Sequence, residues 1–215
     1  MNIKAYLKAL KNKKYFALLL CLAAFICIAE DIWQNEKITA DTYIYNSLTH
    51  IISEQYTAFF TFMTRLADIY FLAALCILIF IFIKNKRYSF IIIINLISTI
   101  FLNQILKAIF MRSRPNFLIL IDADGYSFPS GHAMVAASFY GLLIYLLNQM
   151  KIRKKYKVAA TIFLCILIGL IGLSRIYLRA HYTSDVIAGF LISVAYLIAY
   201  TSFISGYLKR KKSIS

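Results

Sequence analysis

The sequence predicts an all-α fold, a bundle of six transmembrane helices, on three observations. Hydrophobic residues make up 61% of the 215-residue chain and charged residues only 15%, and the mean hydropathy is +0.72. Soluble domains carry about 45–50% apolar and about 25% charged residues. The apolar residues form six separate runs, and the basic residues concentrate between alternate runs. This composition excludes an ordinary soluble domain and a disordered chain.

The six runs approach the length of about 20 apolar residues that a bilayer core requires. They are Tyr15–Ile32, Phe59–Ile83, Ser89–Phe110, Ala133–Leu147, Val158–Leu173 and Asp185–Ile204. The fourth run is short, so its helix is expected to begin in the polar residues before Ala133. The first is longer than the apolar region of a signal peptide and lacks a small-residue cleavage site, so we expect a retained span. No internal repeat is visible, and we expect one domain over residues 1–215.

The basic residues are distributed unevenly between the two ends of these runs. Of the 24, 17 precede the first run, separate the second from the third or the fourth from the fifth, or follow the sixth. The other seven, which include Lys37 and Arg65, share the opposite side with all nine acidic residues. The positive-inside rule then places both termini in the cytoplasm. The net charge of +15 is read as an orientation signal and not as nucleic-acid binding.

The segment from Trp33 to Tyr56 lies on the side with few basic residues. Its apolar residues Ile44, Leu48, Ile51 and Ile52 have helical spacing. The segment therefore predicts an amphipathic helix at the membrane interface.

Lys107 and Arg114 stand seven positions apart at the end of the third run. On a helix this spacing places both on one face, and Pro115 is expected to end the span at Arg114. Two interpretations stay open. The pair binds an anion, or it is a collar of long side chains that reach the membrane surface from a helix end.

The stretch from Ser127 to His132 predicts a tight turn before the fourth span, with Ser130 as the helix N-cap. The start of a helix offers free N–H groups and the positive end of a dipole, which suit an anion. His132 falls in the first turn. The pattern is equally typical of a capped helix with an interfacial histidine.

His181 and Asp185 stand one helical turn apart before the sixth span, after Arg175 and Arg179. A carboxylate at this spacing can bond one ring nitrogen of the histidine, which leaves the other nitrogen as a nucleophile or base. A buried His–Asp pair with a structural role is the alternative.

All three stretches fall on the same side of the predicted bundle. Three cations and a helix start suit a phosphate group, and two of the chain's three histidines could act as nucleophile and acid. No acidic residue or histidine there has metal-ligand spacing, so we expect neither a metal nor another cofactor. The cysteines lie in apolar runs and are predicted to be small core residues: Cys21, Cys27, Cys76 and Cys165.

These stretches resemble the signatures of the type 2 phosphatidic acid phosphatase (PAP2) family. They read KAIFMRSRP at 107–115, PSGH at 129–132 and SRIYLRAHYTSD at 174–185, and they agree with the family in residue identity, order and spacing. The resemblance covers the third to sixth spans and their outer loops. It implies a metal-independent lipid phosphatase with its active site on the extracytoplasmic side of the bundle.

By this resemblance, His181 attacks phosphorus to form a phosphohistidine, Asp185 orients His181, and His132 protonates the leaving oxygen before water releases phosphate. The implied phosphate-binding residues are Lys107, Arg114, Arg175, Ser130 and Gly131. Arg112 and Arg179 lie within these stretches but are not among the residues that define the signatures. Either could contact a second phosphate, but reaching the membrane surface is the favoured interpretation for both. A neutral nucleophile and a protonated acid imply a bell-shaped pH profile.

A phosphate pocket that opens outward within a membrane suits a lipid substrate. Within the family, undecaprenyl diphosphate is expected, with phosphatidylglycerophosphate, phosphatidate and lipid A 1-phosphate as alternatives. A lipid transporter or flippase is the alternative of another class, but it requires ionisable residues deep in several spans. Only Arg65 and Asp68 approach that description, and their spacing predicts a local pair. We expect no nucleic acid and no obligate protein partner.

Overall fold

The structure, a computed structural model, describes residues 3–34, 38–115 and 119–212. Within these ranges the chain forms eight α-helices and no strand, which confirms the all-α prediction. Lys37 lies outside the described residues. The helices are α1 (Ile3–Trp33), α2 (Thr39–Thr49), α3 (Glu54–Arg65), α4 (Ile69–Phe82), α5 (Lys86–Phe110), α6 (Gly131–Gln149), α7 (Lys154–Tyr177) and α8 (Thr183–Lys212).

Among the helices of the described ranges, five are long and apolar enough to cross a membrane, namely α1, α5, α6, α7 and α8. The pair α3 and α4 makes a sixth crossing if it counts as one bent span. The described part of the chain is therefore an all-helical bundle with five or six candidate membrane crossings. α6 begins at Gly131, before Ala133, as the shortness of its apolar run predicted.

The run Phe59–Ile83, predicted to form one span, is divided between two helices in the structure. The axes of α3 and α4 differ in direction by 47° across a short break. Asp68 ends the break as the N-cap of α4, because its Oδ1 accepts the N–H of Ile69 at 2.9 Å. The hydroxyl of Tyr140 donates to the carbonyl of Leu66 at 2.5 Å and satisfies a backbone group that the break leaves open. Among the described ion pairs none joins Asp68 to Arg65, so their predicted pairing is wrong.

Four chain segments meet at the end of the bundle opposite the basic loops. They are the end of α5, the start of α6, the end of α7 and the start of α8. α8 packs against α1 and α6, while α6 also packs against α5 and α7. α5 and α7 end where α6 and α8 begin, because consecutive helices in this part of the chain are antiparallel. The start of α1 lies beside the end of α8, where Lys14 Nζ is 3.2 Å from Thr201 Oγ1.

Apolar side chains from α4 to α7 form the main core, with Leu72, Phe139 and Ile171 fully buried. Cys76 lies in this core, but Cys27 and Cys165 are exposed on the outside of the bundle. The prediction of four core cysteines is therefore wrong. A lipid-facing helix surface is as apolar as a core, so an apolar run cannot show which of its residues are buried.

The segment expected to form an amphipathic helix contains α2, which includes Ile44 and Leu48. Ile51 and Ile52 follow the helix instead of continuing it. Ser53 then caps α3, its Oγ accepting from the N–H of Tyr56. The prediction of a helix is confirmed over a shorter range.

Candidate active site

Arg114 reaches the site from a loop and not from a helix. α5 ends at Phe110, and Met111 follows in the left-handed conformation with φ 44°. The expectation that α5 continues to Arg114, with Lys107 on the same face, is therefore wrong. The guanidinium of Arg114 is held by carbonyl groups of neighbouring loops: Nε donates to Gly125 at 3.0 Å, and Nη1 donates to Ala180 at 2.6 Å.

The start of α6 has the predicted cap and two open N–H groups. Ser130 Oγ accepts the N–H of Ala133 at 3.5 Å, and the Ser130 N–H donates to the carbonyl of Asp185 at 3.0 Å. The hydroxyl of Ser130 thus caps α6, and its N–H is bonded to α8. No carbonyl in the described part of the chain accepts from the N–H of Gly131 or His132. These two groups are the ones available to an anion at this helix start.

The turn before α6 is held in place by the aromatic ring of Phe25 and by the side-chain amide of Asn103. Phe128 is fully buried, stacked on Phe25 with ring centroids 5.7 Å apart. Asn103 Nδ2 donates to the carbonyl of Pro129 at 3.0 Å. A Cβ at Gly131 would lie 2.9 Å from Asn103 Oδ1, so a side chain there would push this amide aside.

His181 is buried immediately before α8, with its two ring nitrogens in different surroundings. Nδ1 lies 3.6 Å from Asp185 Oδ2 and 3.3 Å from Ser127 Oγ. Nε2 faces Arg114 Nη1 at 3.4 Å. Asp185 is fully buried, and its Oδ2 also accepts from Ser127 Oγ and from the N–H of Tyr182. The carboxylate therefore favours a proton on Nδ1 and leaves the lone pair of Nε2 facing the cations.

Burial lowers the pKa of His181 from 6.5 to about 4, because removing the ring from water penalises its charged form. The hydrogen bond to Asp185 opposes this shift, and the charges of Arg175 and Arg114 add to it. Burial also lowers the pKa of Arg114, against the charges of Asp185 and Asp124. His181 is consequently neutral near pH 7, which is the form of imidazole that can attack.

Three cations share the site without a carboxylate partner. Arg175 is 3% exposed, its Nη1 donates to Thr64 Oγ1 at 2.7 Å, and its Nε has no hydrogen-bond partner among the described groups. Its charge interacts with those of Arg114 and Asp68, and Lys107 interacts with both arginines. The ion pairs of the described chain include none of the three. A buried cation without a counter-ion is unfavourable, so this cluster is suited to an anion.

His132 completes the group from the first turn of α6. Its ring interacts electrostatically with His181, Arg175, Lys107 and Arg114. The three sequence stretches therefore converge on one place, with both histidines among the three cations. Of the residues predicted to bind phosphate, Ser130 has its hydroxyl and N–H directed to the cap and to α8, and Arg114 donates to backbone carbonyls of the neighbouring loops.

The structure adds residues that sequence reasoning missed. Arg112 was interpreted as reaching the membrane surface, and this is wrong, because it forms ion pairs with Asp41 at 3.0 Å and with Asp185 at 2.5 Å. Arg179 is also buried, with its guanidinium 4.3 Å from the centre of the Tyr45 ring. Ser127 stands next to a recognised motif, but nothing in the local sequence around Asp41 indicates a role in this site.

Across the described ranges, no three side chains of His, Cys, Asp or Glu come together as metal ligands would. The charge of a bound phosphate would therefore meet the three cations and the N–H groups of α6. Metal-independent chemistry stays a prediction.

Comparison with known proteins identifies relatives over most of the chain. Residues 87–208 match the family model of the PAP2 superfamily. Phosphatidylglycerophosphatase B of Bacillus subtilis (strain 168) is 30% identical over 174 residues, which are 79% of this chain and 86% of that protein. The undecaprenyl-diphosphatase of Sulfolobus acidocaldarius is 26% identical over 121 residues, 54% of each chain.

Two solved structures share the architecture. The crystal structure of a transmembrane PAP2-type phosphatidylglycerolphosphate phosphatase from Bacillus subtilis matches with a TM-score of 0.82 at 27% identity, covering 89% of this chain and 97% of its own. Aquifex aeolicus LpxE matches with a TM-score of 0.61 at 26% identity, covering 75% of this chain and 94% of its own. The chain belongs to the PAP2 superfamily, and it is a hydrolase of that family, a phosphatase.

Proposed function

We propose that the protein hydrolyses the phosphate monoester or diphosphate of a membrane lipid at the outer face of the cytoplasmic membrane, through a phosphohistidine intermediate. One observation carries this proposal. Three cations without carboxylate partners, two imidazoles and the open N–H groups of α6 meet at one end of the bundle. In this proposal residues 1–215 form a single domain.

The proposed reaction has two steps. Nε2 of His181 attacks phosphorus as the bond to the leaving oxygen breaks, and that oxygen takes a proton from His132. Lys107, Arg114 and Arg175 stabilise the negative charge on the three phosphoryl oxygens, which is the main source of catalysis in phosphoryl transfer. Water then gives a proton to His132 and attacks phosphorus. The P–N bond breaks, which releases phosphate and restores neutral His181.

Asp185 balances the positive charge that the His181 ring acquires when Nε2 is phosphorylated while Nδ1 keeps its proton. Oδ2 of Asp185 is the carboxylate oxygen nearest Nδ1, at 3.6 Å. Its contact with Ser127 holds this oxygen on the Nδ1 side of the ring. This arrangement supports the division of roles between the two ring nitrogens.

The proposed orientation has six crossings, with α3 and α4 as one bent span and both termini in the cytoplasm. The basic loops that precede α5 and α7 lie at the opposite end of the bundle from the histidines. Such loops remain preferentially in the cytoplasm. The site then faces the extracytoplasmic leaflet.

A lipid substrate is supported by an apolar cavity of about 780 Å³ beside the site. It lies between α2, α3 and α7 and reaches Tyr177 and Thr183, which belong to the same segments as Arg175 and Asp185. Its apolar lining includes Ile44, Leu48, Phe59, Phe60, Leu173 and Ile176. A hydrocarbon chain placed there would lie beside the segments that carry Arg175 and Asp185.

Two substrates are proposed from the comparisons. Similarity to a phosphatidylglycerophosphatase extends over 79% of this chain, which favours phosphatidylglycerophosphate. Similarity to an undecaprenyl-diphosphatase covers 54% and keeps undecaprenyl diphosphate, the substrate expected from the sequence, as the second candidate.

The test is phosphate release by the purified protein in detergent from phosphatidylglycerophosphate, undecaprenyl diphosphate, phosphatidate and lipid A 1-phosphate. We expect release from at least one lipid by the wild type and none by His181→Ala. His50→Ala is the matched control, because His50 is exposed after α2 and should leave the rate unchanged. No release from any lipid, or a wild-type rate in His181→Ala, would contradict the proposal.

The same assay in excess chelator tests metal independence. We expect full activity, because cations of the chain supply the charge that a metal would otherwise provide. Complete loss that is restored by a divalent metal would contradict the metal-independent mechanism.

A further inference from the structure

Arg112 connects the catalytic carboxylate to a helix that the sequence motifs do not include. Arg112 lies two residues after the end of α5. Its Nη1 lies 2.5 Å from Asp185 Oδ1 and 2.8 Å from Ser184 Oγ. Its Nη2 lies 3.0 Å from Asp41 Oδ2, and its guanidinium lies 4.1 Å from the centre of the Tyr182 ring. One planar group thus bridges two carboxylates and stacks on an aromatic ring.

Asp41 is buried in the first turn of α2 and is tied to the start of α8. Its Oδ1 accepts the N–H of Ser184 at 2.8 Å, and its Oδ2 accepts the Ser184 hydroxyl at 2.6 Å. The carboxylate therefore satisfies one of the open N–H groups at the start of α8 and at the same time holds Arg112. α2, the loop after α5 and α8 meet at this one carboxylate.

The contacts of Asp185 show what Arg112 contributes. Oδ2 faces His181 and accepts from Ser127 and from the N–H of Tyr182, whereas Oδ1 receives the guanidinium of Arg112. Contacts on both oxygens fix the rotation of the carboxylate plane. Without the contact on Oδ1, the plane could turn and take Oδ2 away from Nδ1 of His181.

We propose that Arg112 and Asp41 are positioning residues for the reaction: Asp41 holds Arg112, and Arg112 holds Asp185 in the orientation that fixes His181. This inference rests on the proposed function of His181 as nucleophile. It gives α2 a role in catalysis, because α2 supplies the anchor of this series of contacts.

The test compares kcat and KM of purified variants on whichever of the four lipids the wild type hydrolyses fastest. For Arg112→Met we expect kcat to fall about 100-fold and for Asp41→Asn about 10-fold, the range found when groups behind a reactive residue are removed. KM should stay within about three-fold, because neither residue belongs to the three-cation cluster. The double variant should match Arg112→Met alone, since Asp41 acts through Arg112.

Arg112→Lys separates charge from geometry. A lysine keeps the charge but cannot bridge two carboxylates with a planar fork, so we expect kcat about 10-fold below the wild type. This variant and Asp41→Asn decide the question if Arg112→Met does not fold.

Two controls separate positioning from general destabilisation. Arg65→Met removes an exposed arginine at the end of α3 and should keep the wild-type kcat. Leu72→Ala opens a cavity in the core of α4 and should lower the melting temperature with kcat unchanged.

A wild-type kcat in Arg112→Met, a loss confined to KM, or multiplied losses in the double variant would overturn the inference. The inference would also be overturned if Leu72→Ala and Arg112→Met lowered the melting temperature by the same amount and lost the same factor in kcat. In each case activity of the wild type and inactivity of His181→Ala would leave the proposed function standing. A wild type that hydrolyses none of the four lipids would overturn both.

Discussion

Arg112 and Arg114 are two residues apart in the chain and occupy opposite electrostatic environments. Arg112 lies between two carboxylates, those of Asp41 and Asp185. Arg114 is held by carbonyl groups, and its charge faces Lys107 and Arg175 with no carboxylate within ion-pair distance in the described chain. We refer to Asp41, Arg112 and Asp185 as the balanced region and to Lys107, Arg114 and Arg175 as the open region.

The two regions differ in whether the fold itself balances their buried charges. Burying an unpaired charge costs several kcal/mol, so a cation that only stabilised the fold would be expected to have a partner. The balanced region meets this expectation. The open region gathers three like charges beside a helix start that itself favours anions, which is unfavourable until an anion binds.

The strongest separation of the two regions comes from removing one arginine from each. For Arg175→Met we expect kcat/KM to fall about 1,000-fold, because an arginine on the transferring phosphoryl contributes at least that much in other phosphoryl transfers. The free energy of unfolding should stay constant or rise, since a buried unpaired cation is lost. For Arg112→Met it should fall by about 3–5 kcal/mol, because two buried carboxylates lose their partner.

Denaturation in detergent and steady-state kinetics measure both quantities on the same preparations. Arg65→Met is the control for removing an exposed arginine. A large loss of stability in Arg175→Met, with activity retained, would show that the two regions do not differ as described.

The titration of His181 sharpens the comparison, because its ring lies between the regions. Burial and the open cations lower its pKa, and Asp185 raises it. We expect the ring to stay neutral as the pH falls and to take up its proton only near pH 4, where a free imidazole would already be charged. Carbon-13 NMR of ring-labelled histidine in detergent measures this midpoint, and His181→Ala identifies the signal. A midpoint at or above 6.5 would mean that Asp185 dominates.

The start of α6 contributes its N–H groups to the open region, so its position should matter for activity. Gly131→Ala places a Cβ 2.9 Å from Asn103 Oδ1, so the Asn103 amide, which holds the turn through the carbonyl of Pro129, must shift. We expect kcat to fall about 10- to 100-fold, as small displacements of reacting groups do. Gly169→Ala is the matched control, because nothing lies within 4 Å of the added Cβ. Equal activity of the two variants would contradict the assignment of this helix start to the site.

The smallest expected effect is protection by inorganic phosphate. An anion that binds the open region should stabilise the folded protein by about 1.4 kcal/mol at ten times its dissociation constant, a few degrees in melting temperature. Arg175→Met should lose this protection, and Arg65→Met should keep it. Equal protection of all three proteins would place the anion elsewhere.

The sequence is sufficient to predict the helices, the N-cap at Ser130 and the convergence of the histidines with the cations. These features depend on composition and on residues close together in the chain. The bend between α3 and α4 was missed because both helices are apolar, so the mean hydropathy stays high across the break. The balanced region was missed because Asp41 and Ser184 are 143 residues apart and come together only through the packing of α2 on α8.

Arg112 shows the limit of local interpretation most clearly. From the sequence it belongs to a basic helix end, as does Arg114, and the favoured prediction for it is a side chain that reaches the membrane surface. The left-handed turn at Met111 directs the following residues away from the helix axis. Their separate partners are a consequence of that turn and of the loops that meet it, which no local pattern specifies.

The most direct test of the central claim is the chemical identity of the trapped intermediate. Wild-type protein is mixed with lipid carrying radiolabelled phosphate, quenched in base, where phosphohistidine survives, and mapped by peptide mass spectrometry. We expect one labelled site, Nε2 of His181, which is absent in His181→Ala and present at full yield in His50→Ala. Hydrolysis at the wild-type rate with no label on any histidine, or with the label on His132, would contradict it.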